Sequence, residues 1–353
     1  MNYNRLLGAQ KSDSMNKLIL IPFFILILLG SMMTNAQNDS LVVNNGHYLI
    51  GEIKSMERGV LTFKTKFSKT DFKVKWGEVQ AIYSESLFIT SAKKTSRIYG
   101  KISSPETGIL KITTLQDKEY TFPLDEILFI KPVDKGFLDR ISAGIDLGFT
   151  VTRARNQRQF TTRSRFGYIA ERWSFDAAFN KLVTSQEETD PISRGDGNLT
   201  ALHFTKREWF TLGRMEYLYN TEQSLNLRVN TLVGAGKDVV KSNSLYWRIF
   251  GGLAFNNEDY VGEAMDRQSG EAWLASEFNI FDVGDLSLLT NIFVYPSITE
   301  RDRIRVDYRL DLTYDLPLDF YIKTGMTINF DSRPFLLSNS LDYILQTTFG
   351  WSW

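Results

Sequence analysis

The stretch RIRVDYRLDLTYDL sets Arg303, Arg305, Asp307, Arg309, Asp311 and Asp315 along one alternating line of a fourteen-residue run, interrupted by Thr313. Charges of both signs along one line can do two things. They can form a ladder that selects charged solutes in a pore, or a cross-paired network that fills one. Lys323 on the next run and Arg228 further upstream fall on the same side by the same alternation, and pairing with an Asp is the default for each. Mixed signs cancel any net field, which favours the network over the ladder. His203, in TALHFTKREWF, could be the base of a serine hydrolase, but nucleophilic catalysis needs a serine in hydrogen-bond reach of an oriented base. Parity with Leu202 and Phe204 sends His203 inward, and no adjacent run offers a serine with a supporting Asn, so no catalytic residue is assigned. His47 reads as a solvated loop residue.

Two expected loops carry acids that calcium would accept: Glu187, Glu188, Asp190 and Asp196 in one, Glu258, Asp259, Glu263 and Asp266 in the other. The spacing of an EF-hand is missing, so solvated loops are expected, with no metal and no cofactor. With no Cys and only two His, the chain lacks disulfides, thiolate sites and most zinc chemistry. Its 41 basic residues balance 41 acidic ones, which gives no global field for nucleic acid.

These residues sit on elements with a period of two. From about Leu138 onward, apolar and polar residues alternate in roughly twelve runs of ten or more residues, near 139–153, 157–169, 171–185, 198–207, 209–219, 223–236, 244–256, 268–281, 284–297, 302–316, 319–331 and 340–353. Alternation means β-strands with one apolar and one polar face, and the length suits a tilted membrane-crossing strand of about 9–11 residues. Ile304, Val306, Tyr308, Leu310, Leu312 and Tyr314 oppose the charged line described above. Inside a dry soluble core that line would cost several kcal/mol per unpaired ion, whereas in a hydrated or cross-paired lumen it costs little. Aromatics near run ends, including Phe349, Trp351 and Trp353, suit a girdle at a membrane interface. The last of them resembles the C-terminal signal by which barrels reach their insertion machinery. The expected fold is all-β: an antiparallel transmembrane β-barrel of about twelve strands over 138–353.

Two further segments precede it. Within residues 1–36, Lys17, the apolar run Leu18–Leu29 and the small residues ending at Ala36 read as a cleaved signal peptide, with residues 1–14 as an upstream start or long leader. Twelve apolar residues rise only about 18 Å as a helix, too short for a span of about 30 Å. Then comes a repeat. Gly51, Ile53, Gly59 and Leu61 recur 49 positions later as Gly100, Ile102, Gly108 and Leu110, and Phe72, Val74, Glu78, Val79 and Ile82 recur 48 later. Two small β modules are expected over 38–85 and 86–135, and their spacing of glycines and apolar residues resembles Sm-like or SH3-like barrels.

The stretch MEYLYNTEQSLNLRVNTLVGAGKDVV, with Leu227, Arg228, Gly234, Ala235 and Gly236, resembles the YdiY-like salt-induced outer-membrane family. That resemblance implies a barrel in the bacterial outer membrane and no known reaction; Lys237 and Asp238 depart from its pattern, and the repeat lies outside it. The expectation is a non-enzymatic outer-membrane protein with its N-terminal region in the periplasm. Its partners would be outer-membrane lipid, the insertion machinery and an envelope protein bound through residues 38–133. A small-solute channel and a lipid-modifying enzyme are the alternatives.

Overall fold

A computed structural model describes residues 39–353, apart from 134–135, 138–139, 154–155, 188, 222–224, 261–265, 319, 335–339 and 352–353. The expected signal peptide and Trp353 lie outside the described residues.

The structure is all-β. Nine strands form the N-terminal sheet: β1 (Asp39–Val43), β2 (Tyr48–Glu57), β3 (Val60–Lys64), β4 (Phe72–Lys75), β5 (Val79–Ala92), β6 (Ile98–Ser103), β7 (Ile109–Thr114), β8 (Glu119–Pro123) and β9 (Ile127–Pro132). Their order is β4-β3-β2-β1-β5-β6-β7-β8, with β9 pairing both β2 and β5. The two repeat copies are thus β2 to β5 and β6 to β9. Arg58 and Gly59 turn β2 into β3 with two positive φ angles, 54° and 71°, and Gly108 repeats the left-handed φ at 80° in the second copy. The two-residue β2–β3 hairpin needs such conformations, and in the second copy the recurring glycine ends the longer 104–108 link between β6 and β7.

Two separate modules divided at 85/86 do not form, because that point falls inside β5 and the copies exchange their last strands. The end strand of the first copy, β5, pairs with β6 of the second, and β9 returns to pair with β2 of the first through Met56 and Ile130. The equivalent one-turn 3-10 helices Trp76–Glu78 and Leu124–Glu126 meet where the copies cross, the Trp76 indole N–H donating to the Leu124 carbonyl at 2.6 Å. Both copies fill one core, with Leu41, Ile53, Leu61, Phe63 and Ile82 against Ile102, Leu110, Ile112, Ile127 and Ile130. A copy of about fifty residues cannot bury its own apolar face; two can.

The second sheet has twelve antiparallel strands in sequence order: β10 (Ile141–Thr152), β11 (Gln157–Ile169), β12 (Trp173–Ser185), β13 (Ile192–Phe204), β14 (Trp209–Asn220), β15 (Leu225–Lys241), β16 (Leu245–Tyr260), β17 (Arg267–Val283), β18 (Leu286–Pro296), β19 (Ile304–Asp315), β20 (Phe320–Asp331) and β21 (Leu341–Trp351). It matches the twelve expected runs, with β13, β15, β16 and β17 longer than their patterns. The link expected at 237–243 shrinks to 242–244, since β15 runs on to Lys241. The sheet curls without closing: β10 and β21 each have one strand neighbour, and almost every residue of both is exposed.

One face of this sheet carries apolar side chains that nothing covers. Ile145, Leu147 and Phe149 on β10 are 68–70% exposed. Leu199, Met215, Val233, Leu253, Phe255, Leu274, Tyr343 and Leu345 continue the same face around the curl, all exposed. Leaving a Leu, Ile or Phe side chain uncovered forfeits about 1.5–3 kcal/mol each.

Because each repeat copy supplies half of one core, a fragment 39–92 should remain unfolded while 39–133 folds. Far-UV circular dichroism and amide proton dispersion on the two fragments check this; a folded 39–92 would show that a single copy is self-sufficient.

Candidate functional site

The concave side of the twelve-stranded sheet holds the charges. Register puts Arg305 opposite Tyr295 on β18 and opposite Asp331 on β20, but its guanidinium reaches across β18 to β17. There it binds Glu271 through two bonds, Nε–Oε1 at 3.0 Å and Nη2–Oε2 at 2.6 Å, and lies 4.8 Å over the Tyr295 ring. Glu271 is fully buried, so this fork supplies the opposite charge that a buried carboxylate requires. Arg228 pairs with its cross-strand neighbour Glu258 at 3.0 Å, Glu258 also being buried. Further toward the same end, Arg303 holds Asp331 at 2.7 Å and Glu300 at 3.0 Å, and Arg267 holds Glu300 at 2.7 Å. Glu300 lies in the link between β18 and β19, and its carboxyl sits below the usual range, chiefly because Arg267 hydrogen-bonds it.

Below these pairs the trough is filled with rings. Trp273, Phe250, Phe293 and Tyr295 contact one another, with centroids 5.6 Å apart for Phe250–Trp273 and for Phe250–Phe293. Leu232, Ala254 and Ala275 complete the cluster. Glycines on β15 make room for it and for the close approach of β16: a Cβ at Gly234 would meet the Gly251 carbonyl oxygen first and Trp273 Cζ2 at 2.6 Å, and one at Gly236 would meet Phe250 Cβ first and Phe210 Cζ at 2.5 Å.

At the end of the trough the N-terminal sheet docks. Arg97, between β5 and β6, donates to the Ala170 carbonyl at 3.2 Å and stacks over Phe204 at 4.1 Å and Phe129 at 5.6 Å. Burial pushes its guanidinium down to about 10, so it stays charged at neutral pH. Asn243 donates to the Ile127 carbonyl at 2.9 Å, and Arg58 lies over the Phe281 ring. Ile169 packs into a cluster with Leu87, Ile89, Tyr99 and Val133. Behind this contact, Arg248 Nε and the Tyr246 hydroxyl both donate to buried Asp238, at 2.8 and 3.1 Å.

A protein-family model matches residues 145–353, from within β10 to the end of the chain. The chain belongs to the DUF481 family. Its members are described as proteins of unknown function, and neither curated proteins nor solved structures contain a match.

The DUF481 region takes in all of the charged and aromatic trough and leaves the nine-stranded sheet outside. Within it the sequence-expected residues divide. Arg228 and Arg305 are paired as described, and Arg309 bonds Asp311 at 2.9 Å near the open side. Asp307 faces Phe293 and Asn329 across the strands and lies within electrostatic reach of Arg305 and of Glu216 on β14. Lys323 joins no salt bridge among the described residues; its ammonium lies 4.5 Å from the Tyr321 ring, since its own neighbour in register is Thr313.

His203 corrects its expectation. It points to the convex face, opposite Trp173 and Thr211 in register, with its ring 4.5 Å from the Trp173 ring. The parity rule failed because Leu202 and Phe204 face the concave side, which is apolar where the N-terminal sheet docks. Among the described residues no serine or carboxylate hydrogen-bonds its ring. The acidic loops are also redrawn: Asp196 lies in β13 and accepts from Asn180 at 2.9 Å, and Glu258 and Asp259 lie in β16. Glu188 and Glu263 fall outside the described residues, and among those described no group of three acids or histidines is placed to hold a metal. Phe349 and Trp351 stand exposed at the docking end beside Phe320, and the Trp351 indole donates to the Leu318 carbonyl at 3.1 Å.

Trp273 and Phe250 escaped the sequence reading, although GAG at 234–236 opposite GG at 251–252 was a legible sign of large groups lying against backbone.

Arg305→Leu should destabilise the fold by about 3–5 kcal/mol by stranding Glu271, and the double variant Arg305→Leu/Glu271→Leu should recover most of that. Gly234→Val should cost about 1–3 kcal/mol by pushing β16 away at Gly251 and lifting Trp273. Urea titrations in detergent micelles, followed by tryptophan emission, measure all three.

Proposed function

We propose that this DUF481 protein is a bacterial outer-membrane barrel whose N-terminal sheet caps it from the periplasm and binds an envelope partner. The observation that carries the reading is the inside-out sheet: uncovered apolar side chains on the convex face of strand after strand, and paired charges on the concave face. Water penalises the first arrangement and lipid rewards it. Trp173, Trp209 and Trp351 cluster at the strand ends nearest the N-terminal sheet and are half exposed, as an interfacial aromatic belt requires. The resemblance to YdiY-like salt-induced outer-membrane proteins agrees with this reading.

In lipid an open edge leaves backbone amides unpaired, at several kcal/mol each. We therefore infer that β10 and β21 pair with each other in the membrane, antiparallel, with their apolar faces continuous. Arg–Glu pairs and packed rings occupy the concave side, which argues against the channel alternative. His203, stacked on Trp173 with no hydrogen-bonded serine, argues against the lipid-modifying one. For the partner, Tyr48, Ile50 and Tyr83 form an exposed apolar line across β2, β1 and β5 on the N-terminal sheet.

The chain has no cysteine, so introduced thiols report closure cleanly. Leu147→Cys combined in turn with Tyr343→Cys, Leu345→Cys or Thr347→Cys should give a disulfide in one register once the protein is refolded into vesicles. The protein should also float with those vesicles and show heat-modifiable gel migration. Failure to float would remove the membrane reading; floating without any cross-link would remove closure alone.

A further inference from the structure

A cleft of about 730 Å³ opens where the N-terminal sheet meets the β11–β12 and β13–β14 turns. It is walled by Lys94, Arg97, Lys118, Arg172, Lys206 and Arg207, against the single acid Glu171. In a chain whose charges balance, this is a concentrated positive site. Its cations are not already satisfied: among the described residues Lys94, Lys118, Arg172, Lys206 and Arg207 make no salt bridge, unlike the arginines of the trough. Arg97 forms the deep wall, fixed by Phe204, Phe129 and the Ala170 carbonyl. Lys94 and Arg207, at φ 58° and 60°, belong to the β5–β6 and β13–β14 turns that border the cleft. Apolar lining from Leu115, Tyr99 and Tyr120 completes the cleft.

Its level in the molecule indicates the ligand. Arg172 immediately precedes Trp173, and Lys206 and Arg207 come just before Trp209, the exposed tryptophans of the convex face at this end. Tryptophans of that kind sit at headgroup depth, so the cations lie at or just beyond the phosphates of the adjoining leaflet. We propose that this cleft binds the phosphate headgroup of an anionic phospholipid, an assignment that rests on the membrane reading above. The ammonium and guanidinium groups take the phosphate, arginine by paired N–H donors, while Leu115 and the two tyrosines meet the glycerol and proximal acyl carbons. Lipid held there bridges the N-terminal sheet and the barrel end.

The test uses the full mature chain refolded in zwitterionic detergent and titrated calorimetrically with dihexanoyl-phosphatidylglycerol, dihexanoyl-phosphatidylcholine and inorganic phosphate. Phosphatidylglycerol should bind saturably and phosphatidylcholine should not. The variant Lys118→Gln/Arg172→Gln/Lys206→Gln should weaken that binding on the order of a hundred-fold, from about five-fold per basic residue near an anionic lipid. A control of equal charge loss away from the cleft, Lys64→Gln/Lys66→Gln/Lys69→Gln, should bind as the parent does. Equal binding by the cleft variant, or an equal loss in the control, overturns the site. Phosphate binding as tightly as the lipid overturns the lipid assignment in favour of a free phosphate. The assay needs no bilayer, so saturable binding by a protein that fails to float with vesicles overturns the membrane reading and leaves the anion site standing.

Discussion

The demand that every buried charge on the concave side find an opposite charge governs how the twelve-stranded sheet is built. Glu271 is fully enclosed, and Glu258 and Asp238 nearly so; each would be intolerable alone. Arg305 reaches over an intervening strand to Glu271, Arg228 meets Glu258 directly across the ladder, and Arg248 takes Asp238 where β15 ends and β16 begins. The first of these contacts is possible only if β17, β18 and β19 curl toward one another, so electrostatics and curvature specify the same shape. The convex face follows from it, because alternation leaves the apolar residues nowhere else to go.

Two different fillings share the trough, and their order along it has a physical basis. Most of the paired charges occupy the end away from the N-terminal sheet, with Arg248–Asp238 the pair at the docking end, while rings and aliphatic groups fill the stretch between. Glycines at 234 and 236 let Trp273 and Phe210 lie against the β15 backbone, and the apolar floor then continues through Phe204 to the docked sheet, where Arg97 stacks on it. Apolar groups there lower the desolvation cost of docking, and Arg248 and Asp238, buried behind the contact, offset each other's charge.

The N-terminal sheet shows the same economy on a smaller scale. Duplication made two copies that each lacked a sufficient core, and exchange of β5 and β9 gave both copies one. The Trp76–Leu124 hydrogen bond joins equivalent points of the two copies, so each copy completes the other. A pair fused in this way presents one continuous surface rather than two separable modules.

Much of this was legible in the residues. Period two over twelve runs gave the strand count and, for β10, β19 and β21, the face of each side chain, because a pleated strand leaves no other choice once one residue is oriented. The repeat spacing marked equivalent positions correctly. Sequence alone could not show which strands pair at long range, since strand exchange and two separate modules satisfy the same pattern. Nor could it orient His203: its neighbour Phe204 faces inward, where Arg97 of the N-terminal sheet stacks on it, a contact between segments far apart in the chain. The partner of Arg305 was hidden for the same reason. Alternation told that Arg305 faced the concave side, but only curvature brought Glu271, two strands away, within 2.6 Å of it.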